Sequence, residues 1–211
     1  MKFKLFCAAM VLLAFSTTIL AQVQTPAQKA KPPEPASLPK TAEDANEPAK
    51  SPAEKYFSDV ELLDQDGRKL RFYNDVLKGK VVVINTFFTT CKSICPPLNR
   101  NFQKIQEALG DRLGKDVILV SITVDPVTDT PTRLKEYGRL FKAQPGWLFL
   151  TGKKENVDWA LYKLGQYVEA KDDHTSIVII GNEPKGLWKK AMGLAAADEL
   201  IKIVEDVIND R

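Results

Sequence analysis

A chain of 211 residues has room for one ordinary domain plus appendages, and its charge is nearly balanced, with 30 Lys and Arg against 27 Asp and Glu. Over residues 56–211 the balance tightens to 23 basic and 22 acidic residues. That near-neutral surface lacks the clustered excess charge of a nucleic-acid footprint, so nucleic acid is not expected as a partner.

The N-terminal segment is expected to stand outside the fold. Lys2 and Lys4 precede a mostly apolar stretch, Leu5 to Leu20, softened by Ser16, Thr17 and Thr18 and followed by Ala21. This is the layout of a secretory signal. Its sixteen residues fall short of the ~20 that a membrane-spanning helix needs. Residues 1–21 therefore read as a cleaved export signal, with an uncleaved anchor as the alternative. Cys7 lies too early for a lipoprotein-like cleavage site. Residues 22–55 hold seven of the thirteen prolines, no aromatic residue, and five Lys against five acids. Such a composition cannot bury enough apolar surface to offset its ordering entropy and is expected as a disordered, partly extended linker.

The domain is expected over 56–211. Weak alternation from Tyr56 to Phe72 around Asp64-Gln65-Asp66-Gly67 predicts a hairpin, and Asp75 to Lys80 a short turn. The apolar run Val81-Val82-Val83-Ile84-Asn85-Thr86-Phe87-Phe88 predicts a buried strand. Pro96 and Pro97 suit the first turn of a helix that continues through Leu98, Phe102, Ile105 and Leu109 to Gly110. Asp116 to Val124 is a second buried strand, stopped by Asp125-Pro126. Thr130-Pro131 caps a helix through Leu134, Tyr137, Leu140 and Phe141. Trp147 to Leu150 is a short strand, and a helix follows from about Glu155 to Gly165. A strand over 176–180, a hairpin partner over 187–192 and a helix from about Ala195 to Ile208 complete the chain. Strands alternating with helices argue for an α/β protein with a central sheet flanked by helices. A dithiol where the first long strand meets the next helix fits a thioredoxin-like fold.

That dithiol is Thr90-Cys91-Lys92-Ser93-Ile94-Cys95-Pro96. Residues i and i+4 share a helix face, which would place the two Cα atoms roughly 6 Å apart, within disulfide range. The same proximity lets both sulfurs hold one soft metal ion. With residues 1–21 removed, Cys91 and Cys95 are the only cysteines. A bridge closing so short a loop stabilises a fold little, which disfavours a purely structural staple. A helix N-terminus at Cys95 favours thiolate, whereas Lys92 reads as an exposed loop residue. His174, the only histidine, sits in Asp172-Asp173-His174-Thr175 just before a predicted strand, in a loop that would face the dithiol. Two thiolates and a neutral imidazole suit copper; structural zinc generally takes four protein donors. Asp172 or Asp173 is a candidate weak further ligand. Metal binding, redox exchange, or both remain open on these residues.

Four stretches carry a family resemblance: the dithiol segment after its buried strand; Val124-Asp125-Pro126 followed by Asp129-Thr130-Pro131; Trp147-Leu148-Phe149-Leu150-Thr151-Gly152; and Asp173-His174-Thr175-Ser176. In order and spacing they cover essentially all of residues 57–211. The chain resembles the Sco/SenC family of thioredoxin-fold copper proteins, which assist assembly of cytochrome c oxidase. The resemblance implies copper ligands at Cys91, Cys95 and His174 and one Cu(I) or Cu(II) ion per domain. It also implies an extracytoplasmic, for a bacterium periplasmic, membrane-proximal location. The expected partner is the copper-bearing subunit of cytochrome c oxidase, to which copper is delivered or whose thiols are reduced. Copper donor and thiol reductant proteins would be further partners. The expected role is that of a metal carrier more than an enzyme, with Cys91 and Cys95 as a redox-active pair if the protein is a reductase.

Two positions depart from the family pattern. Gly181-Asn182-Glu183-Pro184-Lys185-Gly186 lacks an Asp often found ahead of the turn glycine, and Thr86 stands where an aromatic is more usual. Asp125 to Pro131 is explained by a strand stop and a helix cap, with partner docking as the other reading. Trp147 and Trp159 read as core or surface aromatics. The competing function is a thiol–disulfide oxidoreductase using the CxxxC pair. Its usual spacing is two residues, not three, and thioredoxins place a cis-proline where His174 stands. A thiol peroxidase is a third reading, weakened by the lack of a preceding proline.

Overall fold

The computed structural model describes residues 31–35 and 51–209; the expected export segment 1–21 lies outside them, as does most of the expected linker 22–55. The described fold opens with a short helix, α1 (Pro52–Phe57), inside the stretch expected to be linker and strand. Ser51 explains it: its hydroxyl accepts from the Glu54 N–H at 3.1 Å, and Pro52 occupies the first helical position. The predicted hairpin is β1 (Glu61–Leu63) paired antiparallel with β2 (Lys69–Arg71). In place of a simple turn before the central strand, Phe72–Leu77 forms a π-helical turn that buries Phe72, Tyr73, Val76 and Leu77.

The main sheet contains β3 (Val81–Phe87), β4 (Val117–Thr123), β5 (Trp147–Leu150), β6 (Ile177–Asn182) and β7 (Leu187–Met192), in the order β5-β4-β3-β6-β7. β3, β4 and β5 run parallel, whereas β6 is antiparallel to β3 and β7 to β6. Helices α2 (Cys95–Leu109), α3 (Pro131–Leu140), α4 (Lys154–Lys163) and α5 (Ala197–Ile208) cover it. This is the expected α/β, thioredoxin-like arrangement.

Every residue of β3 and β4 is buried, which is why both read as mostly apolar runs without alternation: a central parallel strand is covered on both faces. Alternation still sorts their side chains. Val81, Val83 and Phe87 join one core with Leu98, Phe102 and Ile105 of α2, Leu134 and Tyr137 of α3, and Leu200 and Val204 of α5. Val82 and Ile84 join a second core with Phe57, the π-helical turn, and Val157 to Leu161 of α4. Burying one such Leu or Phe side chain contributes roughly 1.5–3 kcal/mol.

Helix α2 ends where expected. Gly110 takes φ +51, a left-handed conformation that glycine adopts without strain, and its N–H reaches the Gln106 carbonyl.

The outer edge of β5 is closed by the hairpin. Leu63 and Thr151 exchange two backbone hydrogen bonds of 2.8 Å. Beyond them the Gln65 side chain acts like one more peptide unit: its amide N–H donates to the Trp147 carbonyl at 3.2 Å and its Oε1 accepts from the Phe149 N–H at 2.9 Å.

Gly193 follows β7 and donates to the Ser176 carbonyl at 2.7 Å, while the Asn101 amide of α2 donates to the Gly193 carbonyl at 2.8 Å. A Cβ at Gly193 would lie 2.2 Å from Leu98 Cδ1 and 2.5 Å from the Ser176 oxygen. The Gly193→Ala variant is expected to lose about 1–3 kcal/mol through overpacking. Chemical denaturation checks this; a loss below about 0.5 kcal/mol would place it among ordinary surface substitutions.

Candidate metal centre

The parallel strand β3 delivers its C-terminal end to one rim of the sheet. There the chain leaves as Phe88-Thr89-Thr90-Cys91 before re-entering regular structure at Cys95, the first residue of α2. The cysteines do not share one helical turn. Cys91 lies in the loop, where its N–H donates to the Phe88 carbonyl at 3.1 Å, and only Cys95 is helical. Pro96 and Pro97 suit a helix start here, because a ring without an N–H leaves nothing unpaired in the first helical turn.

His174 arrives from the opposite direction. A 3-10 turn, Lys171–Asp173, places it in extended conformation just ahead of β6. Its Nδ1 lies 2.8 Å from the Lys171 carbonyl, which accepts only, so Nδ1 carries the proton and Nε2 presents a lone pair. That Nε2 lies 3.2 Å from the Cys95 sulfur. The ring packs edge-on against Phe88, centroids 5.0 Å apart at 74°. The ligand atoms of Cys91, Cys95 and His174 all lie within 4.8 Å of one another, and all three residues are buried.

The sulfurs differ. Cys95 is fully buried and Cys91 keeps 7% of its surface accessible. Burial acts to raise the Cys91 thiol, yet hydrogen bonding with the Cys95 thiol, the Cys95 and Ser93 backbone N–H groups and the Ser93 hydroxyl outweighs it and holds Cys91 below the ordinary thiol range. Burial pushes Cys95 strongly upward, reinforced by its hydrogen bond to Cys91 and by the negative charges of Cys91 and Asp129. Burial also lowers His174 below the ordinary imidazole range, against the Lys171 carbonyl bond and the Asp172 charge. A neutral imidazole is the form that ligates metal.

The structure brings together the three predicted residues and leaves two candidates out. Asp172 and Asp173 are exposed on the 3-10 turn and fall outside the three-donor group. Lys92 is exposed, as expected of a loop residue. Thr86 keeps to packing, its hydroxyl 3.5 Å from the Thr175 carbonyl. Trp147 is a fully buried core residue, its indole N–H donating to the Ser121 hydroxyl at 3.0 Å.

Asp129 is what the sequence reading missed. Its carboxylate is fully buried and accepts from the Thr89 N–H at 3.1 Å, the Thr89 hydroxyl at 2.5 Å and the Thr123 hydroxyl at 2.5 Å. It thus ties the loop after β4 to the loop that carries Cys91. Thr130 does cap α3, accepting from the Arg133 N–H at 3.4 Å, and that cap masked its neighbour. The signals available were a second acid four residues after Asp125 and its place in Asp129-Thr130-Pro131, one of the stretches that carry the resemblance. Lys171 adds another tie, its ammonium 2.7 Å from the Asp125 carboxylate and 5.1 Å from the Phe88 ring centroid.

The family model described as SCO1/SenC matches residues 48–209. The chain belongs to the SCO1/SenC family. Among its relatives, the SCO2-like protein of Rickettsia conorii is 39% identical over 103 residues, which make up 49% of this chain and 48% of the relative. The chain thus spans about half the length of the curated relatives it matches. Among solved structures, Arabidopsis thaliana ScoI with copper bound gives a TM-score of 0.62 at 25% identity, covering 74% of this chain and 99% of that one. BsSco, described as a Sco-family cytochrome c oxidase assembly protein with a disulfide switch, gives a TM-score of 0.61 at 25% identity, covering 74% and 94%.

Proposed function

We propose that this SCO1/SenC protein carries one copper ion on Cys91, Cys95 and His174 and delivers it, outside the cytoplasm, to the copper-bearing subunit of cytochrome c oxidase. One observation carries the reading: two sulfurs and an imidazole nitrogen with its lone pair turned inward lie within 4.8 Å of one another. The donor set fits the ion. Thiolate sulfur and neutral imidazole suit Cu(I) and remain acceptable to Cu(II). Three donors leave a coordination position open, which suits an ion that must leave again. The oxidase partner is supported by the description of BsSco as an assembly protein of that enzyme. Export is supported by the signal-like residues 1–21, with the proline-rich stretch ahead of α1 as spacer and the domain from α1 onward as the working part. Among the described residues no helix is long and apolar enough to cross a membrane.

Titrating the reduced full chain with Cu(I) against a chromophoric chelator tests the site. One equivalent per chain is expected, lost to the chelator in Cys95→Ser; equal stoichiometry and affinity in that variant would refute the assignment.

A second use of the same pair, thiol–disulfide exchange, is favoured by the contrast between partly accessible Cys91 and enclosed Cys95. Cys91 would attack a partner disulfide, and Cys95 would displace the partner's thiolate as the intramolecular bond forms. Two electrons pass to the partner, which ends as a dithiol. With residues 1–21 and their Cys7 removed, the metal-free protein is expected to lose both titratable thiols under mild oxidant and regain them with reductant. A count that stays at two under oxidant excludes this use.

A further inference from the structure

The face of the sheet covered by α1 and α4 carries an aromatic surface that copper chemistry does not use. Trp159 stacks on Tyr162, centroids 5.6 Å apart at 26°, and its indole N–H donates to the Ser58 hydroxyl at 2.9 Å, which fixes the ring. The Lys163 ammonium lies 5.0 Å from the ring centroids of both Trp159 and Tyr56, and Tyr56 is 55% exposed. Against this surface lies Lys31-Pro32-Pro33-Glu34-Pro35. The Lys31 ammonium sits 4.8 Å over the Trp159 ring, and Pro32 is buried although Lys31, Pro33 and Glu34 are exposed. The Lys31 contact sets this segment, which has no regular structure, against the Trp159 face, and Pro32 within it is withdrawn from solvent.

Three prolines in four residues bias this segment towards the polyproline II conformation, which has little entropy left to lose on docking. Proline rings on aromatic faces, with a flanking cation over tryptophan, are how aromatic-lined grooves hold such segments. We propose that the face formed by Tyr56, Trp159 and Tyr162 is a recognition site for a proline-rich segment, occupied in cis by Lys31–Pro35. Trp159 belongs to the core opposite the one containing Cys91 and Cys95, so the occupied site leaves the Cys–Cys–His rim uncovered. Docking at residue 31 also takes about two-thirds of the chain between residue 21 and α1 out of any tether. That consequence rests on the proposed N-terminal attachment; the docking itself rests neither on it nor on copper.

The test uses the full chain and a fluorescein-labelled peptide of residues 29–37. In a Lys31→Ala, Pro32→Ala, Pro33→Ala variant the site is vacated, and the peptide is expected to bind at least ~10-fold more tightly than to wild type, where the cis segment competes. Adding Trp159→Phe, which keeps an aromatic ring, should weaken that binding about threefold through the poorer cation–π partner. Equal peptide affinity for wild type and the vacated variant, or no binding to the vacated variant while its melting temperature matches wild type, overturns the proposal.

Discussion

Replacing His174 with alanine is expected to weaken copper binding by more than ~100-fold, because losing a ligand exceeds the 10–100-fold loss seen when only a ligand's supporting partner is removed. The geometry makes the imidazole hard to substitute. Its Nδ1–H is committed to the Lys171 carbonyl and its ring to the edge of Phe88, so Nε2 is the one atom it offers the sulfurs. Exposed Asp172 and Asp173 lie outside the group and do not stand in for it. The fold should survive, since His174 contributes one ring to a rim rather than a core layer. Competition titration and the sulfur-to-copper charge-transfer spectrum read the result. Stoichiometry, affinity and spectrum identical to wild type would remove His174 from the ligand set.

The second large effect concerns stability. The Asp129→Ala variant is expected to lose about 2–4 kcal/mol, because one buried carboxylate satisfies the Thr89 N–H and the hydroxyls of Thr89 and Thr123. Its removal strands those donors away from water. For a domain of this size such a loss lowers Tm by roughly 5–15 °C. Asp129→Asn should cost less, since an amide oxygen in the Oδ2 position still accepts from the Thr89 N–H and the Thr123 hydroxyl while the Thr89 hydroxyl turns to accept from the amide nitrogen. Because Thr89 stands two residues before Cys91, the alanine variant should also hold copper less tightly than the asparagine variant. Equal melting temperatures for wild type and Asp129→Ala would show that the carboxylate does not brace the loop.

Much of this was legible in the residues. β3 and β4 announced themselves because a strand covered on both faces has no polar side to show. Helix α2 was marked by its apolar spacing and by Pro96, Pro97 and Gly110, and the three site residues by their chemistry. What escaped depended on contacts distant in sequence. The helix α1 hid in a proline-rich stretch, although Ser51-Pro52 is a helix start; its short length gave periodicity nothing to work on. The π-helical turn Phe72–Leu77 looked like a simple connector because its burial comes from the second core. Cys91 and Cys95, four residues apart, read as neighbours on one helical turn, whereas the helix begins only at Cys95 and Cys91 stays in the loop. Asp129 was hidden by a local explanation, the Thr130 cap, which is true and still leaves its buried carboxylate unaccounted for.

The Gln65 side chain has a consequence beyond its two hydrogen bonds. A sheet grows from whichever margin presents unpaired donors and acceptors, and an exposed edge strand is where a second chain adds on. At β5, Thr151 is paired with Leu63, and the Trp147 carbonyl and Phe149 N–H are taken by a single amide. Strand addition by another molecule would first have to unseat the chain's own hairpin, so that side of the sheet is closed to self-templated growth.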